Sequence, residues 1–157
     1  MKGNERLETL LREHRAPFEA QRHAQAFTAQ EIAGSEHVPG KMFAKVVMVM
    51  ADGRLVMLVL PAPHLVDYGK AKALLGAREV RLAEEGEFAA TFPDCEVGAM
   101  PPFGNLYGLP TYVDKSLAED DTIVFNAGSH TETVTMKYAD YERLAKPVVA
   151  DFSRRVG

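Results

Sequence analysis

Apolar residues first recur at helical spacing. Leu7, Leu10 and Leu11 stand at i, i+3 and i+4 among charged neighbours, which predicts a helix over Glu5 to Arg15, ended by Pro17. Phe18 to Phe27 reads as a short extended stretch with His23 at its middle. Thr28, with Glu31 three residues on, has the form of a capping box and predicts a helix from about Ala29 to Glu36, closed by Pro39-Gly40. Two β-rich runs, Phe43 to Met50 and Leu55 to Leu60, flank Asp52-Gly53, the strongest short-range signal of a hairpin. A helix over Val66 to Leu75, stopped by Gly76, a strand over Glu79 to Leu82 and a helical or turn segment over Glu84 to Thr91 come next.

The texture then changes. Val97 to Gly104 is rich in glycine and proline among apolar residues, which predicts an ordered loop rather than a linker. Thr111 to Asp114, Thr122 to Asn126 and Thr133 to Met136 read as strands, with a turn at Ala127 to His130. A last helix spans Tyr138 to Ala145, with a helical re-entry expected after Pro147 over Val148 to Arg154. Strands without regular βαβ spacing favour an α+β fold over a doubly wound sheet. No internal repeat or evident boundary divides the chain, so residues 1–157 are expected to form a single domain.

Composition adds exclusions. The chain has 157 residues, 46% hydrophobic and 25% charged, the mix of an ordinary globular protein. No run approaches the roughly 18–20 apolar residues that span a bilayer, and the charged N-terminus leads into no signal-peptide stretch, so no membrane partner and a cytoplasmic location are expected. A net charge of −4 argues against DNA or any long grip on a phosphate backbone, but leaves room for contact with the end of an RNA. Cys95 is a lone cysteine, and the histidines show no ligand spacing, so neither a disulfide nor a metal site is expected.

Candidate chemistry gathers at three places. Lys45 lies within an aliphatic strand, where an ammonium is costly to bury. An edge strand with Lys45 facing outward would explain it, as would a cation aimed into a pocket at a carbonyl, carboxylate or phosphate. The run Gly98-x-x-x-Pro102 could converge the amides of Gly98, Ala99 and Met100 on one oxygen, with Pro101 and Pro102 only shaping the loop; a plain tight turn fits it equally. His130, after Gly128-Ser129, could orient a substrate hydroxyl or shuttle a proton, or merely hold the turn.

As an ordered set these segments are more specific than any one of them. Thr28 to Ala33, Val38-Pro39-Gly40, Ala44-Lys45-Val46-Val47, Gly98 to Gly104 and Phe125 to His130 together resemble the YbaK/ProRS-associated family, free-standing relatives of the editing (insertion) domain of bacterial prolyl-tRNA synthetase. The resemblance runs from about Leu7 to Phe152. It implies an α+β fold with a curved or barrel-like mixed sheet flanked by helices, and metal- and cofactor-free hydrolysis of the ester in a mischarged aminoacyl-tRNA. The substrate it implies is tRNA-Pro carrying a small residue, met at its 3′ end and acceptor stem, with prolyl-tRNA synthetase as a further partner. Lys45 occupies the place of the family's activity-linked lysine, Gly98 to Pro102 that of its signature loop, and His130 borders the same pocket. In the alanine-clearing branch the residue after the lysine is usually Asn; here it is Val46.

On this reading the amides of Gly98 to Met100 stabilise an oxyanion, Lys45 anchors the terminal phosphate or ribose, and His130 orients substrate or water. Met42, Val46, Met100 and Phe103 are candidate pocket walls, Phe18, His23, Thr28 and Gln30 a candidate rim, and Asn126, Gly128 and Ser129 the bordering turn. For each of the apolar ones, core packing is the slightly better account. Lys41, Lys70 and Lys72 could meet the acceptor stem. A non-catalytic tRNA-binding module and a small-molecule ester or amide hydrolase are the alternative functions.

Overall fold

The structure, a computed structural model, describes residues 3–22 and 40–156. The helix expected over Ala29 to Glu36, and with it His23, Thr28 and Gln30, lies outside the described residues. The chain begins with α1 (Gly3–Glu13), whose Leu7 and Leu11 are fully buried. Each is worth about 1.5–3 kcal/mol of apolar burial, so the i, i+4 pair fixes which face of α1 meets the core.

The predicted hairpin is present as β2 (Ala44–Ala51) and β3 (Arg54–Pro61). Asp52 and Gly53 take positive φ, 48° and 81°, as a two-residue hairpin turn of matching twist requires. The Asp52 carboxylate accepts the amides of Arg78 and Glu79, which pins the turn to the strand β5 (Val80–Leu82) beside it. Two more strands complete a five-stranded sheet of order β5-β2-β3-β6-β9, with β6 (Thr111–Asp114) and β9 (Val148–Ala150) running parallel to their neighbours. A three-stranded sheet of order β1-β8-β7 comprises β1 (Phe18–Arg22), β7 (Thr122–Asn126) and β8 (Glu132–Lys137). A bridge from Phe43 to Val124 joins the two sheets at the start of β2. The fold is mixed α+β, as expected.

Alternation along β2 and β3 divides the interior. Ala44, Met48, Met57 and Val59 face one cluster, shared with α1, the second sheet and the helix α4 (Tyr138–Ala145). Val49, Leu58 and Leu60 face another, under α2 (Tyr68–Leu75). Asp67 caps α2 by accepting the Lys70 amide, and Gly76 ends it in the left-handed conformation. The helix starts later than Val66 because His64–Val66 is a strand, β4, paired with β10 (Ser153–Arg155). A short helix, α3 (Glu85–Phe88), carries a capping box between Glu84 and Glu87.

The helical re-entry expected over Val148 to Arg154 is overturned: the segment forms β9 and β10. Lys146 ends α4 at φ 51° before Pro147, and β6 offers a free edge to Val148–Ala150. Asp114 then fixes the exit. It is 2% exposed and accepts the Phe152 amide at 3.0 Å, the Ser116 amide at 3.1 Å and the Ser116 hydroxyl. Burial alone would raise the Asp114 pKa, but these donors and Ser153 bring it below the usual carboxylate value. Asp114→Ala removes the acceptor of two amides, at a cost of about 1–3 kcal/mol or more. A lowered urea midpoint at unchanged slope is the expected outcome, and a wild-type midpoint would show that β9 and β10 hold without it.

Candidate functional site

Two turns meet where the apolar floor ends. Gly98 takes φ +85° and Gly128 φ +98°, conformations that favour glycine. The Glu96 amide donates to the Gly128 carbonyl at 2.8 Å, and the Gly128 amide donates to the Ala99 carbonyl at 2.9 Å. These reciprocal bonds hold the Gly98 loop flush against the turn that carries His130. His130 is buried, 7% exposed, and its ring lies over Gly98: a methyl placed on that glycine would stand 3.4 Å from Nε2. Nδ1 lies 2.9 Å from Glu96 Oε2, which also receives the His130 backbone N–H at 3.4 Å. Glu96 was not singled out in the sequence, although a carboxylate two residues before the loop glycine was a signal available there.

Of the three amides expected to converge, Ala99 is withdrawn: it donates to the Glu96 carbonyl at 3.1 Å and closes the turn. Gly98 and Met100 donate to no acceptor among the described residues, which leaves two candidate oxyanion donors. Phe103 is fully buried and packs against Phe125 and, edge-on, Tyr141, with ring centroids 5.7 and 5.2 Å away. Met100 is buried in the same cluster. Both are floor rather than wall, because their surface is spent on the core. Pro101 and Pro102 are also buried, and the Pro102 carbonyl accepts the Tyr141 hydroxyl at 2.9 Å.

Other expected residues keep some surface. Met42 and Val46 are half-buried, Val46 against the first cluster. Ser129 pairs its hydroxyl with Thr131 at 3.2 Å, and Asn126 Oδ1 is shielded from solvent with no hydrogen-bond partner among the described residues. Phe18 lies within β1, with the Arg12 guanidinium over its ring. Beside the turns opens a cavity of about 930 Å³, with Arg6, Arg22, Cys95, Glu96, Ser129 and Glu132 in its walls.

Lys45 is half-buried and is in register with Leu60, so alternation starts its side chain on the sheet face of Val47 and Val49. Its ammonium donates to the Ala62 carbonyl at 3.1 Å. Burial lowers its pKa, and among the described residues no carboxylate pairs with it and no hydrogen bond joins it to the Gly98 loop. It is no plain surface lysine, and among the described residues no structural partner neutralises it. Lys41 stands 3.9 Å from Asp120, Lys70 is bonded to Asp151 at 3.1 Å, and Lys72 is exposed on α2. Lys70 and Lys72 thus sit on the helix over the second cluster, away from the floor of the two turns.

Cys95 is no nucleophile in waiting. Its Sγ lies 3.3 Å from the Tyr107 hydroxyl, and burial pushes its pKa up to about 11. Among the described residues no group of three His, Cys, Asp or Glu side chains could hold a metal ion, and no helix is long and apolar enough to cross a membrane. Cys95→Ala is therefore expected to leave turnover within about twofold of wild type, since thiols with raised pKa are inert; a large loss would implicate the thiol. Gly98→Ala forces a side chain into a left-handed position beneath the His130 ring, at a cost of about 1–2 kcal/mol in conformation alone. A wild-type melting temperature and turnover would refute the close approach.

The chain is similar to known proteins in sequence and in fold. Residues 23–144 match the model of the aminoacyl-tRNA editing domain. The multifunctional Ser/Thr-tRNA deacylase ProXp-y of Escherichia coli (strain K12) is 31% identical over 157 residues, covering 96% of this chain and 93% of that protein. A proline–tRNA ligase of Thiobacillus denitrificans is 33% identical over 92 residues, 57% of this chain but only 16% of the ligase. In fold, a candidate trans-editing enzyme for prolyl tRNA synthetase superposes with a TM-score of 0.82 at 19% identity, covering 100% of this chain and 99% of that one. With the family model spanning most of the chain and a full-length relative beside it, the chain belongs to the aminoacyl-tRNA editing domain family and is an aminoacyl-tRNA deacylase.

Proposed function

We propose that the chain, as one editing domain over residues 1–157, acts in trans on tRNA-Pro carrying a wrongly attached small amino acid, at the site built around Gly98, Met100 and His130. The observation that carries the site is the pairing of two amides that engage no acceptor among the described residues with a histidine held over the same loop glycine. The relatives support the substrate class: one is named for Ser- and Thr-tRNA, another for proline–tRNA ligation. Contact with prolyl-tRNA synthetase itself belongs to the same proposal.

In this mechanism the oxygen of a water, oriented with help from the neighbouring ribose hydroxyl, adds to the ester carbonyl carbon, and its proton passes to the departing ribose oxygen. The Gly98 and Met100 amides receive the oxyanion that forms, an interaction worth about 2.7–4 kcal/mol of barrier per preorganised donor. Collapse breaks the bond between the carbonyl carbon and the ribose oxygen. With water as nucleophile the products are the free amino acid and a tRNA with its terminal hydroxyl restored. His130 holds the nucleophile, and positioning of this kind supplies an effect of comparable size.

Lys45 starts from the opposite face of the sheet and donates to Ala62, so its proposed partner is the terminal phosphate or ribose rather than the reacting carbonyl. An ammonium has three donors and this one spends one on Ala62, so a half-desolvated cation retains capacity for an anion. The cation disappears as pH rises through its lowered pKa, so activity is expected to fall on the alkaline side below the ordinary lysine range. Stability moves oppositely. A lysine whose folded-state pKa is depressed binds fewer protons folded than unfolded, and stability rises with pH between the two values. Lys45→Met is accordingly expected to keep or raise the melting temperature while turnover on mischarged tRNA falls about 10²–10³-fold, the cost of one preorganised group.

Release of amino acid from Ala-, Cys-, Ser- and Thr-charged tRNA is the deciding measurement. Wild-type turnover in Lys45→Met would overturn the lysine's assignment. Binding without release across the panel would favour a tRNA-binding module, and cleavage of a short aminoacyl ester but not tRNA would favour a small-molecule hydrolase.

A further inference from the structure

We propose that Glu96 is a positioning residue of the editing site, and that its carboxylate fixes which ring nitrogen of His130 faces the Gly98 loop. The inference rests on the proposed role of the two turns in deacylation and goes one residue beyond it.

Both donors that His130 can offer on this side converge on one oxygen. Nδ1 lies 2.9 Å from Glu96 Oε2, and the backbone N–H of His130 reaches the same atom at 3.4 Å. A carboxylate only accepts, so the Nδ1 edge of the ring is the one that carries the proton. In the neutral imidazole that makes Nε2 the acceptor nitrogen. Nε2 is also the ring atom nearest the position of a methyl on Gly98, at 3.4 Å. The nitrogen able to accept from a hydroxyl or water is thus the one turned toward the loop that offers the Gly98 and Met100 amides. Donors for an oxyanion and an acceptor for the nucleophile then lie side by side.

The carboxylate's placement is itself constrained. The Glu96 amide donates to Gly128 and its carbonyl accepts from Ala99, so main-chain bonds on both sides hold the residue between the two turns. Its side chain is about half exposed, far more than a residue recruited for packing alone. A carboxylate orienting a histidine through Nδ1 is the arrangement by which histidines are held in one tautomer elsewhere, at metals and in nucleophilic triads; loss of such a partner costs about 10–100-fold at metals and about 10⁴-fold in triads.

Two substitutions separate orientation from charge and from folding. In Glu96→Gln the fixed His130 backbone N–H selects the amide oxygen for the Oε2 position, so the tautomer is expected to be retained and turnover to stay within about threefold of wild type. In Glu96→Ala that acceptor is gone, and kcat is expected to fall about 10–100-fold with KM changed less than threefold. The second readout is the ¹⁵N signature of the His130 ring, expected as the Nδ1–H tautomer in wild type and Glu96→Gln, and shifted toward Nε2–H in Glu96→Ala. An Nε2–H wild-type ring overturns the proposal without any assay. So does a Glu96→Ala protein with wild-type kcat, or a Glu96→Gln protein as impaired as the alanine. Should the alanine variant fail to fold, the wild-type and glutamine spectra still decide. A wild-type protein inactive on every charged tRNA sinks the proposed function instead, and leaves the tautomer measurement standing.

Discussion

The site depends on two glycine turns being tied to one another rather than each to its own strand. Glu96 donates to Gly128, Gly128 donates to Ala99, and the Glu96 carboxylate accepts the His130 backbone N–H and lies within hydrogen-bond distance of its Nδ1. Neither turn has a core of its own. Each gains a fixed position because the other satisfies its backbone polar groups, which in a partly buried place must be paired. The glycines are required because both turns use positive φ, and because the His130 ring occupies the space a Gly98 side chain would need.

Beneath this clasp lies an aromatic floor of Phe103, Phe125 and Tyr141, with Tyr141 bonded through its hydroxyl to the Pro102 carbonyl. Close-packed interiors yield little, so the floor converts the stiffness of the core into stiffness of the loop. That is what preorganised donors need: amides aimed before the substrate arrives cost nothing to reorient during reaction. A net-acidic chain can act on RNA under this scheme, since only the end of the molecule has to be held and a single desolvated ammonium contributes much there.

Much of this was legible in the residues. The Asp52-Gly53 hairpin, the Leu7/Leu11 face of α1 and the strands from Thr111 to Met136 all rest on local rules, of which turn chemistry and side-chain period are the strongest, and the structure has them within a residue or two. Where the reading failed, the deciding partner was remote. Val148 to Arg154 became two strands because β6 and β4 had edges to offer. Met100 and Phe103 turned inward because aromatic residues from distant elements met them, whereas Ala99 lost its role to a local turn bond with the Glu96 carbonyl three residues back.

By itself, the sequence determined the class of fold, the family and the short list of chemically unusual positions: a lysine in an aliphatic strand, a glycine-proline loop and a histidine after a glycine. Each follows from a residue's own conformational range or cost of burial, which neighbours in the chain suffice to reveal. Only the tertiary structure decided which of them act together. It joined His130 and Gly98 through Glu96, withdrew one amide of three, and started Lys45 on the other face of the sheet. The reason is range: a hydrogen bond about 3 Å long discriminates between partners that lie 34 residues apart in sequence, as Glu96 and His130 do, and no local pattern encodes that separation.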